Sequence, residues 1–241
     1  MPEDPPRDSA GTPWAARELT PSGFESDDGS ADRALLAALA SAPDDADLVR
    51  AVRSARLLVP VVAAPTDVDT SGEHPVETGV DMAAVTLVAP DGRRALPAFS
   101  GLDALRAWDP LARPVPVTPA RAGQAAVTEG CEVIVLDVAG PATRVLRPSM
   151  VWALAQDRDW LPAHEDPFVA RAVAAAVAPE DDVAEHGVEA GDAPGVLRVV
   201  LRLVPGLAAD AVRALATRVG ERLAADGELR ARVDGIAFTV R

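Results

Sequence analysis

Lysine is absent from this chain of 241 residues, whose 23 basic residues are all arginine. No lysine Schiff base and no phosphate-loop lysine can therefore operate here. Cysteine occurs once, at Cys131, so no intrachain disulfide exists, which fits a reducing cytoplasm. Aromatic residues make up only 3% of the chain. Long apolar runs are missing too. The most apolar stretches, "RLLVPVVAAP" and "CEVIVLDVAG", fall well short of the roughly 20 residues that a membrane helix needs. The start, "MPEDPPRDSAGTPW", has neither the basic nor the apolar region of a signal peptide. Net positive charge is lacking as well: the formal charge is −14 and no arginine cluster is visible. Nonspecific binding to nucleic acid or to an anionic membrane surface is disfavoured accordingly.

What is present is globular in composition, with 49% hydrophobic and 25% charged residues. Residues 1–30 are acidic and rich in proline, and Trp14 and Phe24 are their only aromatic groups, so a disordered tail is expected. Ser30 is the expected cap of a first helix carrying Leu35, Leu36 and Leu39, and Pro43 the expected opener of a second. Residues 57–64 read as a strand that Pro60 places at an edge or a bulge. Residues 65–79 read as a long polar loop. A β-hairpin should turn at "PDG" and run through Leu96 to Phe99. Ser100 then caps a short helix with Leu102, Leu105 and Trp108 on one side.

Farther on, "DPLARPVPV" is extended, and Thr118 and Pro119 start a helix that ends before Gly130. "CEVIVLDVAGP" is a buried strand whose hairpin partner is "TRVLRP". "PSMVWALAQ" is a helix, and Asp166 and Pro167 start another that Pro179 stops. Residues 179–194 are acidic and read as a linker. "GVLRVVLRLVPG" is a strand, Val212 to Leu223 mark a helix, and "ELRARVDGIAFTVR" is either a final hairpin turned at Asp234-Gly235 or, in its first half, an extension of that helix.

Several of these segments stand in one order: "ALPAFSGLDALRAWDP", "RPVPV", "ARAGQAAVTEG" and "EVIVLDVAGP". Together they resemble the SseB (enhanced serine sensitivity protein B) family, in particular its N-terminal domain as found in high-GC Gram-positive bacteria. Pro97, Phe99, Leu105, Trp108, Asp137, Gly140 and Pro141 fall on the family pattern. The resemblance covers roughly residues 31–178. The last unit is similar to a divergent, shortened form of the family's C-terminal domain. This resemblance implies a cytoplasmic α+β domain and carries over no catalytic residue.

No candidate site displaces its structural reading. His74, His164 and His186 include no pair at helical spacing, so no zinc site is expected. No Gly-x-Ser-x-Gly elbow is present. Cys131 reads as a buried, inert thiol. "LDVAGP" is a turn first and a ligand site second, although mixed sheets place ligands at such strand ends. Glu180, Asp181 and Asp182 lack the spacing of a calcium loop and read as solvated. Trp108 belongs to the core on its helix side, and Trp152 and Trp160 are candidates for an exposed groove.

The fold expected is α+β, with a mixed sheet of about five strands, packed helices and a small C-terminal β-α-β(β) unit. The division expected is a tail at 1–30, a main domain at 31–178, a linker at 179–194 and a small unit at 195–241. The function expected is a non-enzymatic interaction or regulatory module with a protein partner, no catalytic residue, no metal and no cofactor. The alternative is a small-molecule binding domain with its pocket near Phe99, Trp108 and Asp137. Phe99, Trp108, Asp137, Trp152 and Trp160 are the interface or pocket candidates.

Overall fold

In the computed structural model, which describes residues 23–41, 43–69 and 76–241, acidic and proline caps set where the helices begin. Helix α1 (Arg33–Ser41) is capped by Asp32, whose carboxylate accepts from the Leu35 amide at 2.9 Å; Ser30 does not cap it. Helix α2 (Asp45–Arg53) has Asp44 as its cap, with Pro43 one residue outside. Asp45 and Asp47 in its first turn and Arg50 and Arg53 in its last match the helix dipole.

Strand β1 (Leu57–Asp69) and strand β2 (Val76–Ala84) pair antiparallel through most of the stretch expected as a polar loop. The correction follows from long-range pairing, which outweighs polar composition. Strand β3 (Leu87–Val88) and strand β4 (Arg94–Ala98) form the expected hairpin, turned where Gly92 takes φ +85°. Helix α3 (Leu102–Trp108) follows, with Gly101 rather than Ser100 at its cap. Strand β5 (Arg113–Val117) pairs antiparallel with β1, helix α4 (Pro119–Thr128) starts on the Thr118 cap, and strand β6 (Val133–Leu136) lies parallel to β4. Strand β7 (Arg144–Leu146) returns antiparallel to β6.

The strands form two sheets, β2-β1-β5 and β3-β4-β6-β7, joined where Leu58 and Phe99 exchange backbone hydrogen bonds at 2.9 and 2.8 Å. The α+β class expected is observed, with a four-stranded mixed sheet and a three-stranded antiparallel one beside it. Pro60 is not at an edge, because β1 is the middle strand. Leu58 turns its backbone groups toward Phe99, so its pair with Pro116, and by alternation the pair Pro60–Pro114, are non-hydrogen-bonded. The prolines of β5 therefore direct their missing donors at the outer edge, and Pro60 lacks its donor only where β2 ends.

Helix α5 (Pro148–Ala155) packs on α4, and the contact is close enough to require glycine. A Cβ on Gly123 would stand 2.6 Å from the Ala155 amide nitrogen. Both helices cover the sheet side that carries Leu96, Ile134 and Leu146, and α1 and α2 complete this first core.

Helix α6 (Pro167–Val177), started as expected by Asp166, packs in a second core. The acidic stretch expected as a linker instead holds strand β8 (Val183–Ala190), antiparallel to strand β9 (Val196–Leu203). Its charges alternate onto the solvent side, which an edge strand allows. Helix α7 (Ala209–Ala225) and helix α8 (Gly227–Arg230) lead to strand β10 (Gly235–Val240), which is parallel to β9. The expected terminal hairpin at Asp234-Gly235 is thus a crossover through α7. Leu197, Val199 and Leu201 face α6 and α7, as their alternation implies.

The segment expected as a tail is described only from Gly23, and that part is folded on. Asp27 pairs with Arg56, and the Gly29 carbonyl accepts from the Leu102 amide at 2.8 Å. Trp14 lies outside the described residues, as does His74.

Candidate functional site

The parallel strands β4 and β6 end side by side, and Ser100, two residues past β4, meets Asp137, the residue after β6, across the gap. Asp137 accepts from the Ser100 amide and from its hydroxyl, each at 2.8 Å. Both residues are buried, and Asp137 holds φ +48°, a left-handed conformation that Asp tolerates better than most residues. Its own carbonyl accepts from the Thr143 hydroxyl at 2.7 Å and from the Gly140 amide at 2.8 Å, which closes the turn 137–143. Strand ends of this kind are where open mixed sheets place ligands.

A cleft of about 1020 Å³ opens above this pair, between α1 and α3. Leu36 and Ala40 line it from α1, and Ala104 and Ala107 from α3. The small side chains follow from the sequence: alanine repeats at helical spacing along both helices and leaves a shallow wall. Arg33 and Arg106 stand at its rim.

The SseB protein N-terminal domain family matches residues 33–153, just over half of the chain. The chain belongs to the SseB family. No curated protein and no solved structure matches it. The match runs from α1 almost to the end of α5, so the SseB N-terminal domain holds nearly all of the first core and the cleft wall apart from residues 28–31.

Within the SseB domain the expected site residues separate. Asp137 sits in the cleft floor. Phe99 is fully buried with Leu58 and Leu105, and its ring centroid lies 5.3 Å from that of half-buried Trp108. These two seal the other side of the sheet and do not line the cleft. Trp152 is 40% exposed on α5, beside a small hollow that Cys131 also lines. Trp160 is buried and donates its indole N–H to the Ser149 hydroxyl at 3.0 Å. Trp152 and Trp160 therefore share no groove. Burial raises the Cys131 thiol pKa, as an inert thiol requires.

A polar junction joins the two cores, and no sequence motif announces it. The Asp234 carboxylate accepts from the Ser149 amide at 2.7 Å and from Arg147 Nε at 2.8 Å. Arg147 also reaches Asp45 at 2.7 Å. Burial works against the Arg147 charge, yet the hydrogen bonds to Asp45 and Asp234 outweigh it and raise its pKa. A cavity of about 510 Å³ opens here, with His164 and Arg232 on its wall. In the second core, Glu180 is buried and accepts from Arg218 and Arg222, so it is not the solvated residue expected. The hydrogen bond from Arg218, reinforced by Arg222 against burial, lowers its pKa from 4.5 to about 2. No cluster of three or more metal-ligating side chains occurs among the described residues, and no helix among them is long and apolar enough to cross a membrane.

Proposed function

We propose that this SseB-family chain is a non-enzymatic interaction or regulatory module that works in the cytoplasm on a protein partner. One observation carries the reading. The sheet side opposite the first core carries Leu87, Ala95 and Val133 in one row and Pro97, Val135 and Val145 in the next, with Pro97 buried, Val145 exposed and the other four partly exposed. No charged residue interrupts these rows, and Val145 is 47% exposed. Helices α4 and α5 pack on the other side, and α3 covers only the Phe99 end. An apolar sheet face of this sort is a docking surface for an uncharged, apolar partner face. The formal charge of −14 favours a protein there over nucleic acid or an anionic membrane.

The buried charges support the same reading. Asp137 is held by the Ser100 amide and hydroxyl, and Asp166, Glu180 and Asp234 by ion pairs, so each of these carboxylates has a structural partner. The high-GC Gram-positive pattern of the motifs, and the second core as a short form of the family's C-terminal domain, belong to this proposal. A second reading, a small-molecule binding domain, is favoured by the cleft between α1 and α3.

The test is affinity capture from native lysate with wild type and Val145→Glu, matched for melting temperature. A stoichiometric partner that the variant loses supports the interaction module. Equal capture by both, or no stoichiometric partner, overturns it.

A further inference from the structure

Strand β8 is an open edge of the second sheet, eight residues long and without proline. Other edges are blunted: β5 carries Pro114 and Pro116, β3 has two residues and β7 three. Just past β8, the Gly191 amide donates to the Val196 carbonyl at 2.8 Å. Alternation along the antiparallel ladder then turns the backbone of Glu189, Gly187 and Glu185 toward β9. The amides and carbonyls of His186, Val188 and Ala190 therefore point out along the open edge, where no turn or loop bond reaches them among the described residues. Side chains alternate as well. Val188 packs on the second core, whereas Glu185, Gly187 and Glu189 lie on the solvent side. A hollow of about 200 Å³ lies over Gly187 and Val200, with Arg202 and Arg241 at its margin. Nothing stands within 4 Å of where a Cβ on Gly187 would be.

We propose that β8 pairs antiparallel with β8 of a second copy of this chain, in the register centred on Val188, so that the two sheets become one. The charges select this register. In a two-fold pair centred on Val188, His186 faces Ala190 of the second copy and Val188 faces its counterpart, and all of these residues have outward backbone groups. Glu189 then faces Gly187, and Glu185 faces Gly191, so each glutamate of one chain meets a glycine of the other. A centre at Gly187 would set Glu185 against Glu189, and a centre at Glu189 would set that residue against its own copy. Like charges directly opposite are destabilising. In the Val188 register the Glu189 side chain enters the hollow over Gly187, beside the Arg202 and Arg241 guanidiniums, each of which is exposed and holds one carboxylate of its own chain. On the core side the two half-buried Val188 side chains meet. The formal charge of −14 on each chain is screened beyond about 8 Å at physiological ionic strength. A seam this short buries less than about 1,200 Å², so the dimer is weak and reversible. The pairing is independent of the apolar sheet face and of the cleft.

The experiment is sedimentation velocity of the full chain from micromolar to millimolar concentration, with hydrogen exchange read at the same concentrations. Wild type is expected to pass from monomer to dimer, and the His186, Val188 and Ala190 amides should gain protection as it does. Gly187→Glu places a glutamate in free space of its own chain but opposite Glu189 of the second copy. It should weaken the dimer by about tenfold or more without lowering the melting temperature of the dilute monomer. His186→Pro removes an outward donor from each copy, leaves the bonds to β9 in place and should weaken the dimer likewise. The swap G187E/E189G again sets glutamate opposite glycine and should restore the dimer. V145E, on the apolar face, should leave it unchanged. A monomer at every concentration overturns the proposal. So does a dimer that G187E and H186P leave intact, one that the swap fails to restore, or one that V145E abolishes.

Discussion

At the level of single residues, the family motif does structural work on both sides of the sheet. Phe99 has no solvent exposure and fills the space between Leu58 and Leu105. Phe99→Ala should cost about 3–5 kcal/mol, the range for a large aromatic lost from a core. Trp108 leans on the same ring but is only half-buried, so Trp108→Ala should cost less, about 2 kcal/mol, since the loss scales with the area removed from water. Urea denaturation of both variants checks the order, and a larger loss at Trp108 would refute this packing. Asp137 was legible as a turn residue from "LDVAGP", but its bond to Ser100 was not. The two positions lie 37 residues apart, and only the parallel pairing of β4 and β6 joins them. Asp137→Ala strands the Ser100 donors and places alanine at a left-handed φ, so a loss of about 3 kcal/mol is expected in the same assay. Asp137→Asn keeps one acceptor and tolerates the conformation, and it should lose less than half as much.

Among the secondary-structure elements, two helix starts were legible from local signals, whereas β8 and β10 depend on distant partners and were not. Thr118-Pro119 and Asp166-Pro167 mark helix starts because the cap and the proline act within one turn. Strand β8 looked like a linker because six of the residues at 179–195 are acidic, and a strand at a sheet edge can keep such charges in solvent. Strand β10 looked like half a hairpin because Asp-Gly is a turn signal, yet its register is set by β9 beyond α7. Glu180 belongs to this scale, since it ties the start of β8 to α7. Its folded pKa of about 2 is below the ordinary 4.5, so its contribution is complete above about pH 4.5 and disappears as pH falls toward 2. Glu180→Gln should flatten that part of the stability profile between pH 4.5 and 2, read by thermal melts across pH. An unchanged slope would show that other carboxylates carry the acid sensitivity. The prolines of β5 make a different prediction. They remove the donors that an edge strand would offer to another chain, so Pro114→Val with Pro116→Val restores a pairable edge. Sedimentation velocity should show concentration-dependent association in that variant and none through this edge in wild type.

For the whole molecule, the two hydrophobic cores meet through polar chemistry rather than apolar packing. Composition could show only that the chain was globular; the division between the cores depends on where α6 packs, and its apolar stripe fits either core by sequence alone. It joins β8, β9 and α7 in the second core. Asp234 is the fastener between the cores. It lies directly before β10, and it receives the Ser149 amide, the Ser149 hydroxyl at 3.1 Å and Arg147 Nε, all from the start of α5. Arg158 adds a bond to the Ala231 carbonyl at 3.2 Å. Because these contacts are few and converge on one carboxylate, the two cores should melt together only while Asp234 is present. Asp234→Ala leaves Arg147 with Asp45 alone and removes the acceptor of a helix-start amide, and leaving such a part-buried donor unmet costs about 1–3 kcal/mol. Calorimetry of the wild type is expected to give one transition, and Asp234→Ala two, with the α6–β10 core melting first because it buries the smaller cluster. Serine at 149 is itself within this network through Trp160, so Ser149→Ala should weaken the junction without splitting the transition. A single transition in Asp234→Ala at the wild-type temperature would mean that the cores are coupled elsewhere and that the Arg147 cluster is incidental.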